Sequence, residues 1–255
     1  MGHYAITGAA TGIGAELKSQ LLAEDHQVIS VDIKEGDVVA DLSTPEGRQF
    51  ALAEIHSKAP DGLDGFVPCA GLPPVAKPRS LILKVNYFAV VATVSGLRDL
   101  LAKKRGTALL VSSNSAPMVP ADDPVIQHCL AGDEQASCAY IEEHGDGHTA
   151  YAGSKRAVTT WMRNHVVEYA AAGVRMNAVA PGITMTPLTE QVLADETLGD
   201  SIREFGKAVP WGGTAEPVQI ANVMRFLLSP ASDFMCGSVV FVDGGSDAML
   251  RAAEF

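Results

Sequence analysis

The chain has 255 residues, 47% of them hydrophobic, and a formal charge of −11 at pH 7. That length supports one large core better than two small ones, so residues 1–255 are read as a single domain. A surface this acidic repels nucleic-acid phosphates, no apolar run is long enough to span a membrane, and no secretory leader precedes the first strand-like segment, so neither nucleic acid nor membrane is expected as a partner.

Strand-like apolar runs fall at residues 4–7, 28–32, 38–40, 65–69, 108–112, 174–180 and 238–242. Most are apolar on both faces, as in a parallel sheet covered by helices on both sides. Helical patterns lie between them. The first begins at Gly12 and runs to about residue 23. The second follows Ser43-Thr44-Pro45-Glu46, where a hydroxyl cap, a first-turn proline and an early acid mark a helix start. A third covers 81–104, a fourth 149–172, and the last follows Glu216-Pro217 and ends near 229. This alternation predicts an α/β, doubly wound Rossmann sheet of about seven parallel strands.

Two segments break the rhythm. Residues 114–150 hold seven acids and no Lys or Arg, and a connection this long is read as a helical insertion ahead of the next helix. Residues 183–212 follow the carboxyl end of a strand and are read as a mobile flap over a site, with a loose surface helix pair as the alternative. The four cysteines, Cys69, Cys129, Cys138 and Cys236, form no C-x-x-C, and a chain of this size needs no disulfide scaffold, so a cytoplasmic location is expected.

Thr7-Gly8-Ala9-Ala10-Thr11-Gly12-Ile13-Gly14 follows the first strand and opens the first helix. Glycines let the backbone approach a pyrophosphate, and the helix amino end supplies N–H donors and positive dipole. Asp32 ends the second strand, where a carboxylate accepts hydrogen bonds from ribose hydroxyls and repels a 2′-phosphate. Ile33 and Thr11 offer no basic phosphate partner, which favours NAD over NADP, while Lys34 speaks weakly the other way. Asp41-Leu42, after the next short strand, are candidates to bracket an adenine.

Tyr151 and Lys155 lie four apart in a helical pattern, one turn above each other on one face. An ammonium beside a phenol favours the phenolate, so Lys155 is expected to pull Tyr151 below its ordinary value of about 10. Most Tyr-x-x-x-Lys pairs are plain surface neighbours; here the pair follows a nucleotide loop.

In these features the chain resembles the short-chain dehydrogenase/reductase family. The T-G-x-x-x-G-I-G spacing, Cys69-Ala70-Gly71, Val85-Asn86-Tyr87-Phe88, Leu110-Val111-Ser112-Ser113, Tyr151-x-x-x-Lys155, Asn177 through Pro181-Gly182, Thr186-Pro187 and Val242-Asp243-Gly244-Gly245 follow the family's order over nearly the whole chain. Pro68-Cys69 departs from it, standing where asparagine is usual, and proline removes a backbone donor from that strand end. The long stretch before Tyr151 is also a departure, and it makes the chain similar to a bacterial group of 3α-hydroxysteroid dehydrogenase/carbonyl reductases with an insertion at the same place. Dehydrogenases of cyclic monoterpenols or other alicyclic alcohols share this frame.

The resemblance implies hydride exchange between NAD(H) and a secondary alcohol or ketone on a hydrophobic cyclic substrate. Tyr151 is then the general acid/base. Lys155 tunes it and binds the nicotinamide ribose. Ser113, or its neighbour Ser112, meets the substrate oxygen. Asn86 is expected to hold a water that relays protons from Lys155, or else only to satisfy backbone groups in mid-helix. Gly8, Thr11, Gly12, Ile13, Gly14, Asp32, Asp41, Leu42, Ala70, Gly71, Pro181, Gly182, Thr184 and Thr186, together with Tyr151 and Lys155, are the expected cofactor contacts. Thr186 reads almost equally well as a plain helix cap before Pro187. Met118, Met185, Leu188 and Val192 are candidates for an apolar substrate wall. His128, His144 and His148 match no firm ligand spacing, and no metal is expected. A homodimer is expected, because an insertion beside the helices holding Asn86 and Tyr151 blocks packing there. The non-enzyme alternative is an idle NAD sensor or scaffold.

Overall fold

The structure is a computed structural model and describes residues 1–254. β1 (His3–Thr7) leads through the glycine loop into α1 (Gly12–Ala23), and β2 (Gln27–Asp32) is followed by the two-residue β3 (Val38–Val39). α2 (Pro45–Lys58) starts where the sequence marks it: Thr44 Oγ1 accepts from Gly47 N at 3.0 Å and Pro45 takes the first turn. β4 (Gly65–Pro68) precedes a long helical arm, and β5 (Thr107–Val111) follows it.

That arm departs from the continuous helix predicted over 81–104. It consists of α3 (Arg79–Leu83), a π-helical turn (Lys84–Ala89), α4 (Val90–Gly96) and α5 (Arg98–Lys104), with a 51° bend at the last junction. Gly96 lets Leu52 of α2 pack against the bend; a Cβ there would lie 2.7 Å from the leucine methyls. No single helix among the described residues is long and apolar enough to cross a membrane, and the apolar faces of this bent pair lie in the core.

The insertion forms α6 (Pro124–Leu130) and α7 (Glu134–His144), followed by the 25-residue α8 (Gly147–Ala171) that bears Tyr151. Each begins on an aspartate cap: Asp123 accepts from Val125 N, Asp133 from Ala136 N and Asp146 from Thr149 N, at 2.7–2.9 Å. β6 (Arg175–Pro181) then leads to α9 (Pro187–Leu193) and α10 (Gly199–Ala208), so the predicted flap is a pair of short helices. α11 (Pro217–Leu228), β7 (Val239–Val242) and α12 (Ser246–Leu250) complete the order.

The sheet runs β3-β2-β1-β4-β5-β6-β7, every pairing parallel. Alternation along the strands divides the core between two faces. Ala5, Ala108, Leu110, Met176 and Ala178 join Ile55, Leu97, Leu101 and Trp161 under α2, α4, α5 and α8. Ile6, Leu109 and Val179 join Leu17, Ile220 and Met224 under α1 and α11. The order reverses direction at β1 and β4, which opens a crevice above the carboxyl ends of those strands.

Candidate active site

A cleft of about 700 Å³ occupies that crevice. Its floor is the turn between β1 and α1. Gly8 has φ +67°, and a Cβ on it would fall 2.6 Å from the Ala70 backbone. A Cβ on Gly14 would fall 2.2 Å from the Gly8 carbonyl, so both glycines are required by close approach, and Gly8 by its backbone angle as well. Pro68 does not loosen the neighbouring strand end. Cys69 N donates to the Thr7 carbonyl at 3.2 Å, and Ala70 N donates to Thr7 Oγ1 at 3.1 Å, so the next two amides take over the tie. Burial pushes the Cys69 thiol up to about 11, leaving it protonated.

At one end, Asp32 Oδ2 accepts from Ala10 N at 3.1 Å and Oδ1 from Lys34 N at 3.2 Å, which fixes the carboxylate at the wall. Asp41, Leu42, Ile33 and Lys34 line the same end. Thr11, Gly12, Ile13, Gly71, Pro181, Gly182, Thr184 and Thr186 line the middle. Two threonine hydroxyls have structural partners: Thr184 Oγ1 donates to the Gly182 carbonyl at 3.1 Å, and Thr186 Oγ1 accepts from Thr189 N at 3.3 Å as the cap of α9. The plain-cap reading of Thr186 therefore describes its hydroxyl, although its methyl closes on Gly12. A bare-glycine floor, a helix amino end and a terminal carboxylate suit a diphosphate-linked dinucleotide.

At the other end α8 presents Tyr151 and Lys155 to the cleft on one face, with Lys155 Nζ 5.9 Å from the phenol ring centre. Nζ donates to the Val111 carbonyl at 2.9 Å, and Lys155 is only 6% exposed. Burial lowers its ammonium from 10.5 to about 8. The expected effect on Tyr151 is not found. Burial pushes the phenol above its ordinary value, and the opposing influence is a hydrogen bond with Ser113, not the ammonium. Spacing puts the two side chains on one face, but Nζ turns to the strand carbonyl, and desolvation of the phenolate outweighs a cation at that range.

The two serines divide as alternation requires. Ser112 Oγ turns away to Thr159 Oγ1 at 2.8 Å and the Lys155 carbonyl at 3.4 Å. Ser113 is the one that reaches Tyr151. Its Oγ also accepts from Ser115 Oγ at 3.0 Å and Ser115 N at 3.2 Å. With its oxygen held by these two donors, Ser113 turns its own proton to the Tyr151 oxygen, the bond that opposes the rise of the phenol. Ser115 was invisible as a partner in the sequence. Asn86, in the π turn, accepts from Leu72 N at 2.8 Å and donates to the Leu72 carbonyl at 3.1 Å. Both ends of its amide are thus engaged by the Leu72 backbone.

Among the candidate substrate contacts, Met118, Leu188 and Val192 line the cleft, but Met185 does not. The segment is extended, with Met185 N–H bound to the Ala215 carbonyl at 2.8 Å, so Thr184 and Thr186 face the cleft while Met185 between them does not line it. The apolar wall is completed by Leu72, Pro74, Ile202 and Phe205, with His148 at the rim. Leu198, Ile202, Phe205 and Val209 have the spacing of one helix face, a signal that was available in the sequence. His128 and His144 pack on the Tyr140 ring at 5.3 and 5.1 Å, and no group of three metal-ligating side chains occurs among the described residues.

Known proteins match this chain closely. The profile described as enoyl-(acyl carrier protein) reductase matches residues 135–247. The 3-alpha-hydroxysteroid dehydrogenase/carbonyl reductase of Comamonas testosteroni is 40% identical over 259 residues, covering 100% of both chains. The crystal structure of the 3-alpha-hydroxysteroid dehydrogenase from Pseudomonas sp. B-0831 complexed with NADH superposes with a TM-score of 0.96 at 44% identity, covering 99% of this chain and 100% of that one. A cis-4-hydroxycyclohexanecarboxylate dehydrogenase of Sinomonas cyclohexanicum is 29% identical over 96% of each chain.

Proposed function

The chain belongs to the short-chain dehydrogenase/reductase family, and we propose that it interconverts a secondary alcohol and a ketone on a hydrophobic cyclic substrate, with NAD(H) as cofactor and a 3α-hydroxysteroid as substrate. The observation that carries this reading is a single cleft joining the glycine floor and Asp32 at one end to Ser113, Tyr151 and Lys155 beside an apolar wall at the other. The relatives' names supply the substrate class.

NAD(H), when bound, supplies or accepts the hydride. The glycine loop, Asp32 and the Asp41–Leu42 wall would hold the nucleotide, with Gly71, Gly182, Thr184 and Thr186 along its path. Ser113 donates to the substrate oxygen, with its proton aimed by Ser115. Tyr151 gives a proton to that oxygen on reduction and takes it on oxidation. Lys155 holds positive charge one turn below the phenol, and at neutral pH it stays protonated because about 8 lies above 7. Leu188, Val192, Ile202, Phe205 and Met118 enclose the rings and exclude water. The chain acts in the cytoplasm, where its four free cysteines stay reduced, and assembles as a homodimer.

The test is turnover of 3α-hydroxysteroids and cyclic terpenols with NAD and with NADP, read as reduced-nucleotide absorbance, on the parent chain and Tyr151→Phe. The steroid with NAD should be preferred, and the variant should lose at least about a hundredfold in rate while still binding NADH. Unchanged turnover in Tyr151→Phe would remove the acid/base assignment.

A further inference from the structure

The nucleotide end of the cleft is held from behind by a buried arginine that the chemistry above does not use. Arg48, on α2, is 6% exposed, and a buried guanidinium is costly unless its donors are filled. All three of its nitrogens donate here. Nε reaches the Leu42 carbonyl at 2.8 Å; Nη2 reaches the Ser43 carbonyl at 3.3 Å and the Lys84 carbonyl at 3.1 Å. Nη1 and Nη2 fork onto the two carboxylate oxygens of Glu134 at 2.6 and 2.9 Å.

These partners come from three places. Leu42 and Ser43 follow β3, and Leu42 forms the cleft wall beside Asp41. Lys84 opens the π turn that carries Asn86. Glu134 is the first residue of α7, in the insertion. β3 is only two residues long, and its last ladder-like bond is Ala40 N to the Asp32 carbonyl at 3.0 Å. Beyond it the wall leaves the sheet, and Arg48 is what grips its carbonyls. Among the described residues Glu134 supplies the only carboxylate on that guanidinium, in the bidentate geometry that fixes both its charge and its plane.

We propose that Arg48, oriented by Glu134, is a positioning residue for the nucleotide, and that the insertion thereby sets the affinity for NAD(H). This rests on the cofactor reading above and adds a role for the insertion within it. Without Glu134 the guanidinium loses its counter-charge and releases the Leu42 and Ser43 carbonyls to solvent. The wall then samples other positions, and the nucleotide must restore it on binding.

The test titrates NADH into the full-length chain by nucleotide fluorescence and measures the KM for NAD and kcat in parallel. Three variants are used: Arg48→Lys, Glu134→Gln and the apolar pair Arg48→Met with Glu134→Leu. Each is expected to weaken NADH binding by about tenfold, the usual scale for a lost charged hydrogen bond, with KM for NAD rising alike and kcat at saturating NAD within about twofold. The apolar pair should recover the thermal stability lost in either single variant, since it leaves no buried charge unpaired, yet should not recover affinity. If Arg48→Lys does not fold, the other two decide. NADH affinity within twofold of the parent in the folded variants, or affinity returning together with stability in the apolar pair, would overturn the proposal and leave a purely structural ion pair. A parent chain that does not bind NADH would instead overturn the cofactor reading, and this inference with it.

Discussion

Lys155→Met should make the folded chain more stable near neutral pH while removing turnover. Burial lowers the ammonium from 10.5 in the unfolded chain to about 8 in the fold. At ~1.4 kcal/mol per pH unit, keeping the proton costs the folded state roughly 3 kcal/mol relative to the unfolded one. That cost is fully present below about pH 8, where both states are protonated. It fades between about 8 and 10.5, where the unfolded chain still binds the proton and the folded chain does not, so stability of the parent rises with pH across that window. Methionine removes the cost but forfeits the 2.9 Å bond to the Val111 carbonyl, a loss of about 1 kcal/mol. The net gain is about 2 kcal/mol at pH 7, or roughly 4–8 °C in Tm for a chain of this size, and it vanishes near pH 10. Urea unfolding of parent and variant at pH 7 and pH 10, beside a turnover assay, checks this. A variant less stable than the parent at pH 7, or a gain that does not shrink with pH, would show that the ammonium is held by favourable partners, and the reasoning would fail.

Gly8→Ala and Gly132→Ala form a matched pair, since both glycines have positive φ (+67° and +76°) but only the first meets crowding atoms. The backbone cost of about 1 kcal/mol applies to each, and overpacking adds about 1–3 kcal/mol at Gly8 alone; differential scanning calorimetry giving equal losses would refute the close-packing argument. Ser115→Ala should lower kcat by about three- to tenfold with little change in substrate KM, because the Oγ bond to Ser113 is lost while the Ser115 N–H bond remains; a change in KM alone would assign Ser115 to binding instead. Light scattering should give a mass near 53 kDa, twice the 26.7 kDa chain, and a particle of four chains would refute the dimer.

The fold was legible because its signals are local. Each of the seven apolar runs is a strand, displaced by a residue or so at its ends, and α1 begins and ends where the glycine loop and the spacing predict. The caps at Thr44 and Glu216 marked their helices. What was not legible depends on direction and distance. Spacing places Lys155 on the same face as Tyr151 but does not say that Nζ turns to Val111. An apolar run over 81–104 does not distinguish an α-helix from one interrupted by a π turn, because one extra residue per turn leaves composition unchanged. Ile202 and Phe205 line the cleft and Met185 does not, and the helical spacing of that pair is the physical signal that marks them. Arg48 lay unnoticed in a polar helix pattern because its carboxylate partner is 86 positions away.

The acidity of the insertion has a local explanation that changes how the segment is understood. Of its seven acids, Asp123, Asp133 and Asp146 cap three successive helices. Glu134 holds Arg48, and Glu142 accepts from Ser80 N at 2.6 Å at the start of α3. Five of the seven are thus committed inside the chain, and no basic partner is needed to account for them. The contacts run to both ends of the cleft. Glu134 reaches the nucleotide wall through Arg48, while Gly147, where a Cβ would fall 1.9 Å from the Pro74 carbonyl, seats the start of α8 against the substrate wall. α6 lies so close on α8 that a Cβ on Gly153 would come 2.8 Å from Val125. α7 covers a face of α3, and α6 covers a face of α8. The same packing links the Tyr151 helix to the nucleotide wall through Glu134 and Arg48, so altering the insertion should move cofactor affinity.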